Sequence, residues 1–196
     1  MKILKTDCLS DGFRMPGEFE KQDGCLMIYP WRPGSWNYNA KYARDVFVEI
    51  AHILAAYEDV YMIVRPEDMK EAVTRLDHPH IHIIEASSDD AWARDTGPTF
   101  VVNDKGERRG INWEFNAWGG SYDGLYSHWE NDQVIPNHIC EYLSDDLYEA
   151  RPFVLEGGSI HVDGEGTLIT TEECLLSPGR NPTMTRVETE DTLNSI

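Results

Sequence analysis

Three short apolar runs, "GCLMIYP" (24–30), "DVYMIVR" (59–65) and "IHIIEA" (81–86), alternate with stretches of helical periodicity. Each run has the length and continuity of a buried strand. After the first, Ala43, Val46, Phe47, Ile50, Ile53, Leu54 and Tyr57 recur at spacings that place them on one helical face. After the second, "PEDMKEAVTRL" reads as a short helix, with Pro66 suited to its first turn and Glu67 and Asp68 close behind. Strands alternating with helices indicate an α/β architecture.

Beyond residue 98 the pattern changes. "TFVVNDKGERRGINWEF" (99–115) reads as a hairpin turning at Asn103 to Gly106, and "SIHVDGEGTLITTEECLL" (159–176) as another turning at Asp163 to Gly166. An acid followed by glycine precedes each: Asp95 before Gly97-Pro98, and Glu156 before Gly157-Gly158. This is a weak internal repeat, and modules arranged around an axis would bring both acids to one central site. The alternative is that acids before glycines merely satisfy the amides of the turn.

The stretch "DDAWARDTGP" (89–98) gathers three carboxylates around Trp92 where the backbone must turn. Two converging carboxylates beside an indole can trap a guanidinium, a planar cation with five donors in a fork. The aromatic face adds a cation–π attraction of ~1–2 kcal/mol when shielded from water. Arg94, adjacent in an extended loop, should point away from such a site and pair with Asp89 or Asp90.

The formal net charge of −18 disfavours nucleic acid and anionic membranes as partners, and it is compatible with a small cationic substrate. No apolar run approaches membrane-spanning length, and the opening "MKILKTDCLSDGF" has too short an apolar stretch for a signal peptide. The cytoplasm is the default compartment. The four scattered cysteines form no CxxC pair, so neither a disulfide scaffold nor a zinc ribbon is expected.

Three blocks, "FRMPGEFEKQDGCLMIYPWRPGSW" (13–36), "DDAWARDTGPTFVVNDKGERRGINWEFNAWGG" (89–120) and "FVLEGGSIHVDGEGTLITTEECLLSPGRNP" (153–182), together resemble the agmatine deiminases of the guanidine-modifying superfamily. The resemblance implies an α/β fold that is part of a five-module α/β propeller, the pentein fold. It implies hydrolysis of agmatine to N-carbamoylputrescine and ammonia with no metal or organic cofactor. In that family a cysteine thiolate attacks the guanidinium carbon, ammonia leaves, and water cleaves the thiouronium. By the same resemblance Asp95 is the first guanidinium-binding acid and Trp92 the aromatic wall. Glu156 is the acid supporting the substrate or the catalytic histidine, and Trp118 lines the pocket. A peptidylarginine deiminase, or a non-catalytic module that binds cations or a partner, are the alternatives.

Other motifs mimic this chemistry. His161 and Asp163 in "HVD" copy the family's His-x-Asp pair but run into a hairpin turn. Cys174 has acidic neighbours that discourage a thiolate, and Cys25 sits in an apolar strand, so both read as core thiols. His80 and His82 in "HPHIH" share a strand face without an apparent third metal ligand. The family's nucleophile and its His-x-Asp pair find no match, so residues 1–196 read as the N-terminal portion of a pentein domain, cut inside a helix that begins near Thr185 with the capping box Thr185/Glu188. An incomplete ring would expose apolar faces and leave a homo-oligomer open.

Overall fold

The computed structural model of the chain describes residues 1–195. Along it run β1 (Ile3–Leu4), β2 (Gly24–Ile28), α1 (Lys41–Leu54), β3 (Asp59–Val64), α2 (Met69–Arg75) and β4 (Ile81–Glu85). Next come α3 (Ala93–Thr96), β5 (Thr99–Val102), β6 (Arg108–Glu114), α4 (Gly120–Asp123), α5 (Ile135–Leu143) and β7 (Asp146–Val154). β8 (His161–Val162), β9 (Leu168–Ile169), α6 (Glu172–Leu176) and α7 (Arg186–Leu193) complete the mixed α/β order. Two compact units result: residues 1–20, 94–129 and 133–196, and residues 21–93 with 130–132.

In the second unit the three apolar runs form a parallel sheet in the order β2-β3-β4, with Val60 opposite Cys25 on one side and Ile81 on the other. Its core joins Met27, Tyr29, Val60, Met62 and Val64 to Ala51, Ala55, Ala72 and Leu76. The apolar face expected of α1 divides in two. Phe47, Val48, Leu54 and the small Ala51 and Ala55 pack on the core, whereas Val46, Ile50, Ile53 and Tyr57 are exposed. Alanines let the helix approach the sheet closely, so a narrower arc than the sequence offers suffices for burial. Entry into α1 runs through Tyr38, Asn39 and Ala40, all with positive φ (54°, 52° and 60°), a conformation that side chains disfavour. Arg44 fastens the helix: it donates to the Pro30 carbonyl (2.9 Å), Asp68 (2.7 Å) and Glu71 (2.7 Å).

The first unit holds a four-stranded sheet in the order β1-β7-β6-β5, with β7 parallel to both neighbours and β5 antiparallel to β6. Phe13, Val101, Ile111, Trp113, Tyr148, Phe153, Leu155 and Leu175 are among its core residues. Both expected hairpins are present, β5–β6 and β8–β9, and they turn by the same device. Asn103 Oδ1 accepts from the amides of Lys105 and Glu107 (3.0 Å each), and Asp163 Oδ1 from those of Glu165 and Thr167 (2.8 and 3.0 Å). The capping box forms at Thr185 and Glu188. Leu193 packs against the core and Val187 is exposed. Ile196, which the sequence places on the same apolar stripe, lies outside the described residues.

Candidate active site

The three carboxylates of "DDAWARDTGP" do not share one task. Asp89 and Asp90 are buried and consumed by the second unit's own backbone and side chains. Asp89 accepts from the Asn131 amide and side chain (2.8 Å each). Asp90 accepts from the Ala91 amide (2.8 Å), the indoles of Trp36 (2.8 Å) and Trp92 (2.9 Å), and the hydroxyl of Ser35. Trp92 also stacks on Trp36, with ring centroids 5.8 Å apart and planes 28° from parallel. Arg94 is exposed and pairs with Glu18. The expected partners of Arg94, Asp89 and Asp90, have their capacity spent elsewhere.

Asp95 is different. Held in α3, its half-buried carboxylate accepts from the Gly158 amide (3.2 Å) and from the Trp118 side chain. Burial pushes its pKa above the ordinary value, against those two hydrogen bonds and the Arg94 charge, which pull it down. Two donors leave part of a carboxylate's four lone-pair sites available. The glycines of "EGG" explain this proximity. A Cβ at 157 would lie 2.3 Å from the Arg94 carbonyl oxygen, and one at 158 would lie 2.4 Å from Asp95 Oδ1. Neither position has room for a side chain, so the backbone itself reaches the acid.

Glu156, the repeat partner, is 1% exposed. Burial raises its pKa, the Arg180 guanidinium opposes that shift, and the negative charge of Asp95 adds to it. Both acids of the internal repeat belong to the same unit. Arg180 Nε stands 2.8 Å from Glu156 Oε1, at an angle that leaves both atoms without a directed hydrogen bond. Arg180 also donates to the Trp118 carbonyl, and the Asn116 side chain donates to the Gly179 carbonyl (2.8 Å). Trp118 itself has φ +64° and meets Phe115 and Tyr126 edge-on at 5.3 and 6.1 Å. Sequence reasoning missed Arg180. Its one signal is a cation in the turn-forming "SPGRNP" (177–182) of a chain that needs to neutralise a buried acid.

The remaining motifs take structural places. His161 is exposed, and Asp163 is spent on its turn. His80 and His82 both reach Asp59 Oδ1, at 2.9 and 3.1 Å. Among the described residues no group of three metal-ligating side chains could hold an ion. Burial pushes the thiols of Cys8 to about 11 and Cys140 to about 12, and raises Cys25. The half-buried Cys174 packs beside the first unit's core. No described helix is long and apolar enough to cross a membrane.

Comparison with known proteins relates the chain as a whole to others. The chain is 50% identical to a provisionally named agmatine deiminase of Streptococcus mutans, over 98% of its own length and 53% of that protein's. It is 52% identical to a second so named in Listeria monocytogenes, again over 98% of this chain and 52% of the other. It superposes with a TM-score of 0.94 on the agmatine deiminase of Enterococcus faecalis, at 45% identity, over 98% of this chain and 52% of that one. The chain thus spans about half the length of the curated relatives it matches. The model of one family, described as the Porphyromonas-type peptidyl-arginine deiminases, matches residues 14–196, and the chain belongs to that family.

Proposed function

We propose that this chain supplies the guanidinium-gripping part of an agmatine deiminase, an enzyme that hydrolyses agmatine to N-carbamoylputrescine and ammonia. The carrying observation is the Asp95 carboxylate, half-buried and steadied by Gly158 and Trp118 with acceptor capacity to spare. A guanidinium docked on it would be oriented by charge-assisted hydrogen bonds, and the Trp118 ring offers an aromatic surface. Glu156, locked by Arg180, supports the site rather than meeting solvent. The relatives' names favour agmatine, and their greater length favours reading this chain as the N-terminal modules of a pentein.

Calorimetry with agmatine tests the grip. Asp95→Asn should abolish binding. Because burial holds the Asp95 carboxyl above its ordinary 3.8, the group contributes stability that is complete below that value and lost as pH rises through its folded-state pKa. The uncharged asparagine should therefore leave the fold at least as stable at pH 7 in urea titration. An unchanged binding isotherm would remove Asp95 from the site. The role that the resemblance implies for Trp92 is tested in the same way with Trp92→Ala.

A second reading, binding without turnover, is favoured by the thiols. Cys8, Cys25 and Cys140 are all shifted away from the thiolate that the chemistry requires. The purified chain should release no ammonia from agmatine; release that disappears in Cys174→Ala would refute this reading.

A further inference from the structure

Two tryptophans of the second unit turn their polar edges inward. Trp36 and Trp92 stack with ring centroids 5.8 Å apart, and both indole N–H groups donate to one carboxylate, Asp90, at 2.8 and 2.9 Å. Each tryptophan is half-buried, so with the N–H edges occupied the surface left to solvent is the carbon frame. Phe47 braces Trp36 edge-on at 5.7 Å. All of these residues belong to the second unit.

Asp90 is more than a peg requires. It is 0% exposed, and its four donors fill the four lone-pair sites of a carboxylate: the Ala91 amide, the two indoles and the Ser35 hydroxyl. Three of them are N–H groups that can only donate, which is the setting of an ionised acid. All four are neutral dipoles. Burying an ion costs far more than burying a neutral acceptor, and a neutral acceptor would pin the loop as well. The charge therefore has a use beyond pinning. A carboxylate bonded to the edge of an indole adds negative potential to its π faces, and away from water that field is little screened. Those faces are where a cation meets a tryptophan. The same unit already shows the geometry, because Arg65 lays its guanidinium over Trp31 with Cζ 3.7 Å from the ring centroid.

We propose that the Trp36–Trp92 stack is a binding surface for a planar cation, with Asp90 as the positioning residue that fixes both rings and makes their attraction depend on ligand charge. This rests on the agmatine reading, which supplies the cation, and it adds Trp36 and Asp90 to Trp92 as determinants of specificity. A guanidinium and the ureido group left after deimination are both planar and nearly equal in size, but only the first is charged. A wall that reads charge holds the substrate and lets the product go.

Calorimetry on the whole chain with agmatine and with N-carbamoylputrescine tests this, alongside circular dichroism, in which stacked indoles give an exciton couplet. Agmatine should change the couplet of the wild-type chain. Trp36→Phe keeps an aromatic ring beside Phe47 and loses the N–H donor. It should abolish the couplet and weaken agmatine by about fivefold or more, the worth of one shielded cation–π contact. Its affinity for N-carbamoylputrescine should fall by about twofold at most. Asp90→Asn should lower the two affinities in the same unequal way; if that variant fails to fold, Trp36→Phe carries the test alone. Equal losses for both ligands overturn the proposal, as does a Trp36→Phe chain that binds agmatine like the wild type, and either result leaves Asp95 untouched. A wild-type chain that takes up no agmatine overturns the agmatine reading and this inference with it. Weaker binding in Trp36→Phe with an unchanged isotherm in Asp95→Asn overturns the Asp95 grip alone and supports the wall.

Discussion

Gly158 leaves the Asp95 carboxylate the space that a methyl group would fill. With a new Cβ 2.4 Å from Asp95 Oδ1, Gly158→Ala must move the acid or the turn of residues 157–159 that faces it. Agmatine affinity should then fall by about tenfold or more, about 1.4 kcal/mol, which calorimetry would register; undiminished affinity would mean that the carboxylate shifts freely. Arg180 makes the opposite contribution, as the cation that renders a buried Glu156 tolerable. Arg180→Met strands that carboxylate, and breaking a buried pair costs about 3–5 kcal/mol. Since burial already lifts Glu156 above its ordinary 4.5, protonation relieves the stranded charge. Urea titration should show the largest deficit near pH 7 and a smaller one as pH falls into the carboxylate range; a deficit independent of pH would exclude the electrostatic cause. Of these residues Asp95 stood out in the sequence, because an acid before a Gly-Pro turn is a compact local pattern, although the neighbouring indole of Trp92 bonds Asp90 instead. Arg180 did not. Its task is set by an acid 24 positions earlier, and nothing local to "SPGRNP" announces it.

At the scale of elements, legibility followed where each segment is solvated. β2, β3 and β4 stood out because an unbroken apolar run is what a covered parallel strand requires. β7 passed unnoticed although it sits inside its sheet between β1 and β6. Its sequence, "DLYEARPFV", hides the strand behind charges that neutralise one another: Arg151 Nε donates to Glu149 Oε1 at 2.6 Å. α5 was concealed by Pro136, which resembles a breaker but occupies the first turn, where no amide is needed. The α1 stripe was seen but given wholly to the core, because periodicity counts apolar residues and cannot say how wide an arc the sheet will cover. The last strand residue of β7 is held by a side chain acting as backbone. Buried Asn181 accepts from the Val154 amide (3.0 Å) and donates to the Val154 and Leu175 carbonyls (2.9 and 3.0 Å). Asn181→Ala orphans these groups and should destabilise the chain by about 2–4 kcal/mol, read as a lowered urea midpoint; a loss below about 0.5 kcal/mol would mean that water replaces the amide.

For the whole molecule, the α/β class could be read from the alternation of elements, whereas the division into two units could not. The boundary at Ala93 and Arg94 falls inside the turn of α3, with no proline- or glycine-rich linker to betray it. The net charge of −18 acts on every element together through self-repulsion. Raising the ionic strength from about 0.01 to about 0.15 M shortens the Debye length from about 30 to about 8 Å. The thermal midpoint should therefore climb by a few degrees in a salt series, and a flat or falling series would show that the acids are already compensated by their arginine partners.

Arg180 and Asn181 are chain neighbours with unrelated duties, one neutralising the acid beneath the candidate site and the other tying down a core strand. A shift in the path of this dipeptide disturbs both at once. Selection for mere folding thus guards the electrostatics of ligand capture even in a host that never meets the ligand. Variant libraries screened for abundance will discard altered sites before any assay of chemistry sees them, and drift in specificity has to begin at other residues.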